Sequence, residues 1–259
     1  MSTIINKCRP GKDFVLGIHP NHFQNKMKIC IENADNLATI LAVAKEFSDY
    51  ITFTVANSIL RATILDATHV SVTVVRITAT SDATVTFSVN TKEFASIIAL
   101  GNEALEMVIE ADSINLSMGK IQAKLRLFDI DTDDISVEGY EAPCKVTTST
   151  KQFFSNVRDL ATFGDTVKIH AKDDSIRLET SGDLGTVTID LDAICDGAPP
   201  APSSYALKYI ISLAKAARLN DELRVSLGES MPMRIDIERN ECGLSFYLAP
   251  KIQDDDDDD

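Results

Sequence analysis

Leu244-Ser-Phe-Tyr-Leu-Ala-Pro-Lys-Ile252, followed by Gln253 and the six aspartates Asp254–Asp259, is the stretch on which the reading of this chain turns. Leu244, Phe246 and Leu248 alternate with Ser245 and Tyr247, the period of a half-buried strand. Ala249-Pro250 then ends the ladder, because proline has no backbone N–H to extend it. The ending sets an aromatic, an Ala-Pro corner and a charged tail side by side at the surface. Taken alone, it is a last strand with a solvated acidic tail.

Moving outward from it, Met233–Ile237 and Leu223–Leu227 alternate in the same way and read as strands. A helix over about Ser203–Ala217 precedes them, after the irregular patch Ala193–Pro202, read as a surface loop. An earlier helix follows Ser149/Thr150, with Phe153, Val157, Leu160 and Ala161 on one side. The first half has the same order. A strand at Ile29 and Ile31 leads to a helix that Asn36 would cap, with Leu37, Ile40, Leu41, Ala44 and Phe47 on one face. Strands at Ile51–Val55, Leu60–Leu65, Val70–Val74 and Val85–Val89 follow, with Asn57-Ser58 as a turn. A second helix, about Thr91–Leu100, precedes a hairpin of Leu105–Ile109 and Ile114–Met118, with Lys120–Phe128 as one more strand. Asp165–Ile169 overlays Asp49–Phe53, and Ser175–Leu178 overlays Ile59–Ala62. The chain thus reads as four copies of helix-then-strands, two per half, and such self-similarity outweighs any single element.

This gives an α+β chain of two similar domains, 27–128 and 146–252. They are joined by the acidic, proline-ended connector 129–145 and flanked by an extension, 1–26, and a tail, 253–259. The 44 % hydrophobic content suffices for a core, no apolar run is long enough to span a bilayer, and the N-terminus carries no signal-peptide pattern. Five dispersed cysteines without a CxxC read as reduced thiols. The net charge of −14 repels DNA, although the six terminal aspartates leave only about −8 on the body. Any contact with nucleic acid therefore requires cations gathered on one face.

No catalytic constellation assembles. His19, His22, His69 and His170 form no metal-ligand pair, and no P-loop, GxSxG or GxGxxG occurs, so neither an enzyme nor a cofactor is expected. The basic residues are more informative. Lys208, Lys215 and Arg218 recur at helical spacing, as do Lys151 and Arg158, while Lys120, Lys124 and Arg126 share one strand face. The first-half helices add only Lys45 and Lys92. Such faces suit phosphate contact without base reading, as well as ordinary solvation.

The terminal FYLAPKI, with Leu65-Asp-Ala-Thr-His-Val-Ser71, Gly101-Asn-Glu103, Arg158-Asp-Leu160, Gly164-Asp165, Ser181-Gly-Asp-Leu-Gly185 and Ala206-Leu-Lys-Tyr209, resembles the proliferating cell nuclear antigen (PCNA) family over residues 27–259. The resemblance implies a homotrimeric ring, helices lining a hole for duplex DNA, and a processivity clamp that tethers polymerase, clamp loader and other replication or repair proteins. It implies a nucleus, or a viral replication site if the source is a virus, and no membrane role. The subunit contact would join a strand near Ser113–Leu125 to one near Thr180–Leu191. DNA-facing residues would be Lys45, Lys92, Lys151, Arg158, Lys208, Lys215 and Arg218. The pocket for PIP-box peptides would comprise Leu65, His69, Val70, Ile135, Val137, Met231, Pro232, Tyr247, Leu248, Ala249 and Pro250, and Lys172 matches a regulatory modification lysine. Departures are Glu138, where the family commonly has proline, and Ala38 and Thr39, where it usually has lysines. Alternatives are a subunit of a heterotrimeric checkpoint-type clamp or, in a different class, an acidic adaptor or small hydrolase.

Overall fold

The computed structural model describes residues 26–130, 135, 137, 139–240 and 242–251. The expectations for residues 1–25, Glu138 and the acidic tail lie outside these described residues. The first half runs β1 (Met27–Ile31), α1 (Ala34–Ala44), β2 (Tyr50–Ala56), β3 (Ile59–Leu65), β4 (Ser71–Thr78), β5 (Thr80–Ser81), β6 (Val85–Asn90), α2 (Thr91–Ile98), β7 (Leu105–Ile109), β8 (Ser113–Met118) and β9 (Ile121–Arg126). The second runs β10 (Cys144–Ser149), α3 (Thr150–Leu160), β11 (Thr166–Ala171), β12 (Ser175–Gly182), β13 (Gly185–Gly197), β14 (Ser203–Ala206), α4 (Leu207–Leu213), a 3-10 turn (Ala214–Arg218), β15 (Glu222–Leu227), β16 (Met233–Arg239) and β17 (Cys242–Leu248). Four helices on antiparallel sheets result, the fold class read from the sequence.

Local chemistry accounts for the element ends, including three that differ from expectation. Asn33, not Asn36, caps α1: its side chain accepts from the Asp35 N–H at 2.9 Å, and the earlier start adds Ala34 to the buried stripe of Leu37, Ile40 and Leu41. Asn90 and Ser149 cap α2 and α3 in the same way. The last helix begins at Leu207 rather than Ser203. Pro199, Pro200 and Pro202 favour an extended approach, and Ser203–Ala206 pairs with β11, which buries Tyr205 completely. The expected loop 193–202 is likewise half strand, since Ala193–Gly197 continues β13 along β10. At the turn between β2 and β3, Asn57 and Ser58 both take positive φ (51° and 61°), which a two-residue hairpin requires.

Sheet order is β5-β1-β7-β8-β9 in a five-stranded sheet and β14-β11-β12-β13-β10-β15-β16-β17-β4-β3-β2-β6 in a twelve-stranded one. The helices form one contiguous layer: α1 meets α2, α3 meets α4, and α1 meets the 3-10 turn of the other half. Their apolar faces (Leu37 and Ile40, Phe94 and Ile98, Phe153 and Val157, Ile210 and Leu213) are fully buried. The halves join where β17 pairs with β4 over six residue pairs, Gly243↔Arg76 to Leu248↔Ser71. Phe47 and Phe246 pack beneath this seam with ring centroids 5.5 Å apart.

Candidate nucleic-acid interface and partner pocket

Leu244–Leu248 is more deeply buried than its alternation suggests. All seven residues of β17 are buried. Leu244, Phe246 and Leu248 enter the core, whereas Tyr247 is covered on the opposite face by tertiary neighbours. The Tyr140 ring meets it edge-on at 5.3 Å and 84°, and the Arg234 guanidinium lies 5.5 Å from its centroid. Arg234 is held by Asp236 at 2.8 Å, and Ser245 donates to the same carboxylate at 2.6 Å. Tyr140 donates from its hydroxyl to the Pro232 carbonyl at 2.7 Å, tying the chain segment before β10 to the loop before β16. Burial pushes the Tyr140 phenol up to about 12, so it remains a donor at any physiological pH.

Strand register brings Leu65, Val72, Tyr247 and Arg234 into one row across β3, β4, β17 and β16. Directly paired residues share a sheet face, so the row is a continuous strip. Beside it, the β3–β4 loop is organised by Asp66, only 6 % exposed. One carboxylate oxygen accepts from the N–H groups of Val70 (2.9 Å) and Ser71 (2.5 Å), and the other from the Thr68 N–H (2.9 Å) and hydroxyl. Burial raises the Asp66 pKa, but the hydrogen bonds from Thr68 and Ser71 outweigh it and hold the carboxyl below its ordinary value. This carboxylate lets His69 take a φ of +58°, costly for a residue with a Cβ, and presents its exposed imidazole and half-buried Val70. The Val70 carbonyl in turn accepts from the Ala249 N–H at 3.0 Å, where proline has ended the ladder.

Leu65, His69, Val70, Met231, Pro232, Tyr247, Ala249 and Pro250 thus come from three chain regions into linked surface elements. Leu248 is different: fully buried between Met233 and Ser71, it gives its side chain to the core. Ile135 and Val137 are half-buried. A groove of about 390 Å³ opens beside Pro250, walled by Ala201, Ser203, Glu229, Ser230 and Lys251. A depression of about 440 Å³ lies elsewhere, on the outer face of β7–β9. Sequence reasoning did not include Tyr140, Val72, Arg234 or Asp66 in this region; only the Asp-x-Thr-x-x-Ser spacing within 66–71 hinted at a side-chain-organised turn.

Lys45, Lys92, Lys151, Arg158, Lys208, Lys215 and Arg218 are all exposed on the solvent side of the helical layer. Their surroundings differ. Lys92 donates to Asp49 at 2.8 Å, which raises its pKa, and Lys215 pairs with Glu46 at 2.5 Å. Arg218 donates to Thr39 at 3.1 Å, and Lys208 lies over the Tyr209 ring at 4.8 Å. Among the described residues, no carboxylate is within ion-pairing distance of Lys45, Lys151, Arg158, Lys208 or Arg218. With side chains 44 % and 38 % exposed, the Lys215–Glu46 pair contributes at most about 1 kcal/mol. The β17–β4 ladder therefore carries the junction of the halves. Lys172 is exposed, 3.8 Å from Asp190, which Arg177 also grips at 2.8 Å. Among the described residues, no group of three or more His, Cys, Asp or Glu side chains is placed to hold a metal, and no helix is long and apolar enough to cross a membrane.

Comparisons with known proteins place this architecture. Residues 136–252 match the family model described as proliferating cell nuclear antigen, C-terminal domain. A protein described as probable DNA polymerase sliding clamp 2, of Paramecium bursaria Chlorella virus 1, is 23 % identical over 246 residues, covering 89 % of this chain and 92 % of its own. Proliferating cell nuclear antigen 2 of Drosophila melanogaster is 26 % identical over 192 residues, 68 % of this chain and 75 % of its own. In fold, the crystal structure of proliferating cellular nuclear antigen from Entamoeba histolytica superposes with a TM-score of 0.81 at 20 % identity, covering 87 % of this chain and 99 % of that one. Four helices layered on antiparallel sheets, the family match across the second half and relatives aligned over most of the length converge on one conclusion: residues 136–252 match the C-terminal domain of the PCNA family, and the chain as a whole has the fold of, and is similar over most of its length to, the sliding clamps of that family.

Proposed function

We propose that three copies close head to tail into a ring, that duplex DNA passes along the helical layer, and that partner proteins dock PIP-box peptides on the strip between Leu65, His69, Tyr247 and Pro250. In this reading residues 27–128 and 146–252 are the two domains, and 129–145 is the connector. DNA polymerase, the clamp loader and repair proteins are the partners, acting in the nucleus or at a viral replication site.

The observation that carries the ring is a pair of free strand edges. Among the described residues, β9 pairs only with β8, and the Gly185–Leu191 stretch of β13 pairs only with β12. In chain order β9 closes the first half as β17 closes the second, and β13 follows β12 as β4 follows β3. Pairing β9 with β13 of the next copy would therefore repeat the β17–β4 junction already made within one chain. Half-buried Ile121, Ala123 and Leu125 on one edge meet Val187 and Ile189 on the other, and Lys124 and Arg126 face a stretch carrying Asp190 and Asp192. Uncovered strand edges of this kind favour pairing, and a heterologous contact forms a ring when its rotation closes. Phosphate contacts without base contacts would let such a ring slide.

Light scattering on the untagged protein tests the reading. The chain is 28.3 kDa, so a single species of roughly 85 kDa is expected for closed three-fold assembly. A monomer or dimer at every concentration would refute the homotrimer.

A further inference from the structure

We infer that Glu46 limits how tightly this clamp holds DNA, by engaging Lys215 across the seam between the two halves. The inference rests on the proposed passage of duplex along the helical layer. Three elements meet at this point: the turn after α1 with Glu46 and Asp49, the start of α2 with Lys92, and the 3-10 turn with Lys215 and Arg218. Glu46 accepts from Lys215 at 2.5 Å and Asp49 from Lys92 at 2.8 Å, and Glu46 also lies close enough to Lys92 to help raise its pKa. Two of the seven cations on the layer are therefore matched by carboxylates before any phosphate arrives.

The imbalance follows the halves of the chain. In α1 and its following turn, Asp35, Glu46 and Asp49 outnumber Lys45, and in α2 Glu93 cancels Lys92. In α3, Lys151 and Arg158 face a single Asp159, and α4 with the 3-10 turn carries Lys208, Lys215 and Arg218 with no acid. The buried hydroxyl of Thr39 draws the Arg218 guanidinium to the first-half helix at 3.1 Å, so Lys215 and Arg218 both bend toward α1. Among the described residues, Lys151, Arg158 and Lys208 are left as the second half's unmatched grip. Glu46 weakens the hold in two ways: it occupies Lys215, and it sets a carboxylate beside the phosphate path. A ring that must slide benefits from such a limit, because each extra phosphate contact steepens the salt dependence of binding.

The test is fluorescence anisotropy of the full chain on a labelled linear duplex of arbitrary sequence, titrated at 50 and 200 mM salt. Glu46→Gln is expected to bind more tightly, with the affinity ratio between the two salts widening about 3.5-fold for each phosphate newly engaged. In a Lys215→Gln background the same change should lose most of that gain. An unchanged affinity for Glu46→Gln overturns the inference, and a gain that persists in full without Lys215 overturns its route through the ion pair. Lys151→Gln/Arg158→Gln separates this from the underlying reading. If that variant binds DNA as well as wild type, the passage of DNA along the layer is refuted; if it binds more weakly while Glu46→Gln is unchanged, only the role of Glu46 falls. Light scattering of each variant confirms an unaltered assembly.

Discussion

Replacing Asp66 with asparagine removes the charge around which the β3–β4 loop is built while keeping its shape. In the native loop one carboxylate oxygen serves Val70 N, Ser71 N and the Ser71 hydroxyl at 2.9, 2.5 and 3.1 Å, and the other serves the Thr68 N–H and hydroxyl. The amide keeps the first oxygen but turns an N–H toward the Thr68 N–H, leaving that part-buried donor to water or unmatched, at a cost of about 1 kcal/mol. The three remaining bonds lose charge assistance, and together the change should cost about 2–4 kcal/mol. Urea unfolding at fixed protomer concentration reads it directly. Asp66 also has a pH signature. Its folded pKa is below the unfolded value because the hydrogen bonds outweigh burial. Its contribution is therefore complete above the unfolded pKa and is lost as pH falls from about 4 through the folded value. The asparagine variant should lack that portion of the acid-induced loss. Because the loop presents His69 and Val70, and Val70 receives Ala249, a PIP-box peptide should also bind the variant more weakly. A variant with wild-type unfolding midpoint, acid profile and peptide affinity would refute the idea that this carboxylate organises the site.

Two further outcomes are expected. Tyr247→Ala removes the ring against which Tyr140 and Arg234 pack, and should weaken PIP-box peptide binding by about 10-fold or more, whereas Tyr247→Phe keeps the ring and should stay near wild type; calorimetry giving equal affinities for all three would count against the pocket. Burial raises the Cys144 thiol to about 12 and the Cys242 thiol to about 11, so both stay protonated at pH 8. Timed alkylation read by mass spectrometry should therefore label half-exposed Cys30 and Cys195 before Cys144 and Cys242, and early labelling of Cys144 would contradict its burial.

Repetition was legible in the chain because periodicity is a local property. The alternation of Leu244, Phe246 and Leu248, the helical stripes of Leu37–Ile40 and Phe153–Val157, and the overlay of Asp165–Ile169 on Asp49–Phe53 need only neighbouring residues to be seen. They give the α+β class and the order of most elements, although periodicity alone marked no strand at β5, β10 or β13 and placed β14 within a helix. Boundaries fared less well where a tertiary partner competed with local preference. Ser203–Ala206 follows helix-permissive chemistry, yet the open edge of β11 takes it as a strand and buries Tyr205. Asn36 is as good a cap as Asn33 in isolation, and the burial of Ala34 decides between them.

For the candidate site, residue types were readable but their circumstances were not. Cation spacing put Lys208, Lys215 and Arg218 on one face. Only the fold brings Glu46, 169 residues away in sequence, onto Lys215 and Thr39 onto Arg218. Cysteines far apart in the chain behave similarly: Cys144 and Cys195, on neighbouring strands, have their sulfurs 3.2 Å apart. The terminal string identified Tyr247 and Leu248 together, but strand parity sends Leu248 into the core, while Tyr140 and Arg234 cover Tyr247 from other strands and loops. Sequence by itself determined which faces are apolar, where the chain turns and which family it resembles, since each depends on spacing along one chain. Tertiary structure decided which charges are free, which aromatics are covered and which strand edges remain open. Those depend on the pairing of β17 with β4 and the meeting of α1 with the 3-10 turn, contacts between segments that no local pattern encodes.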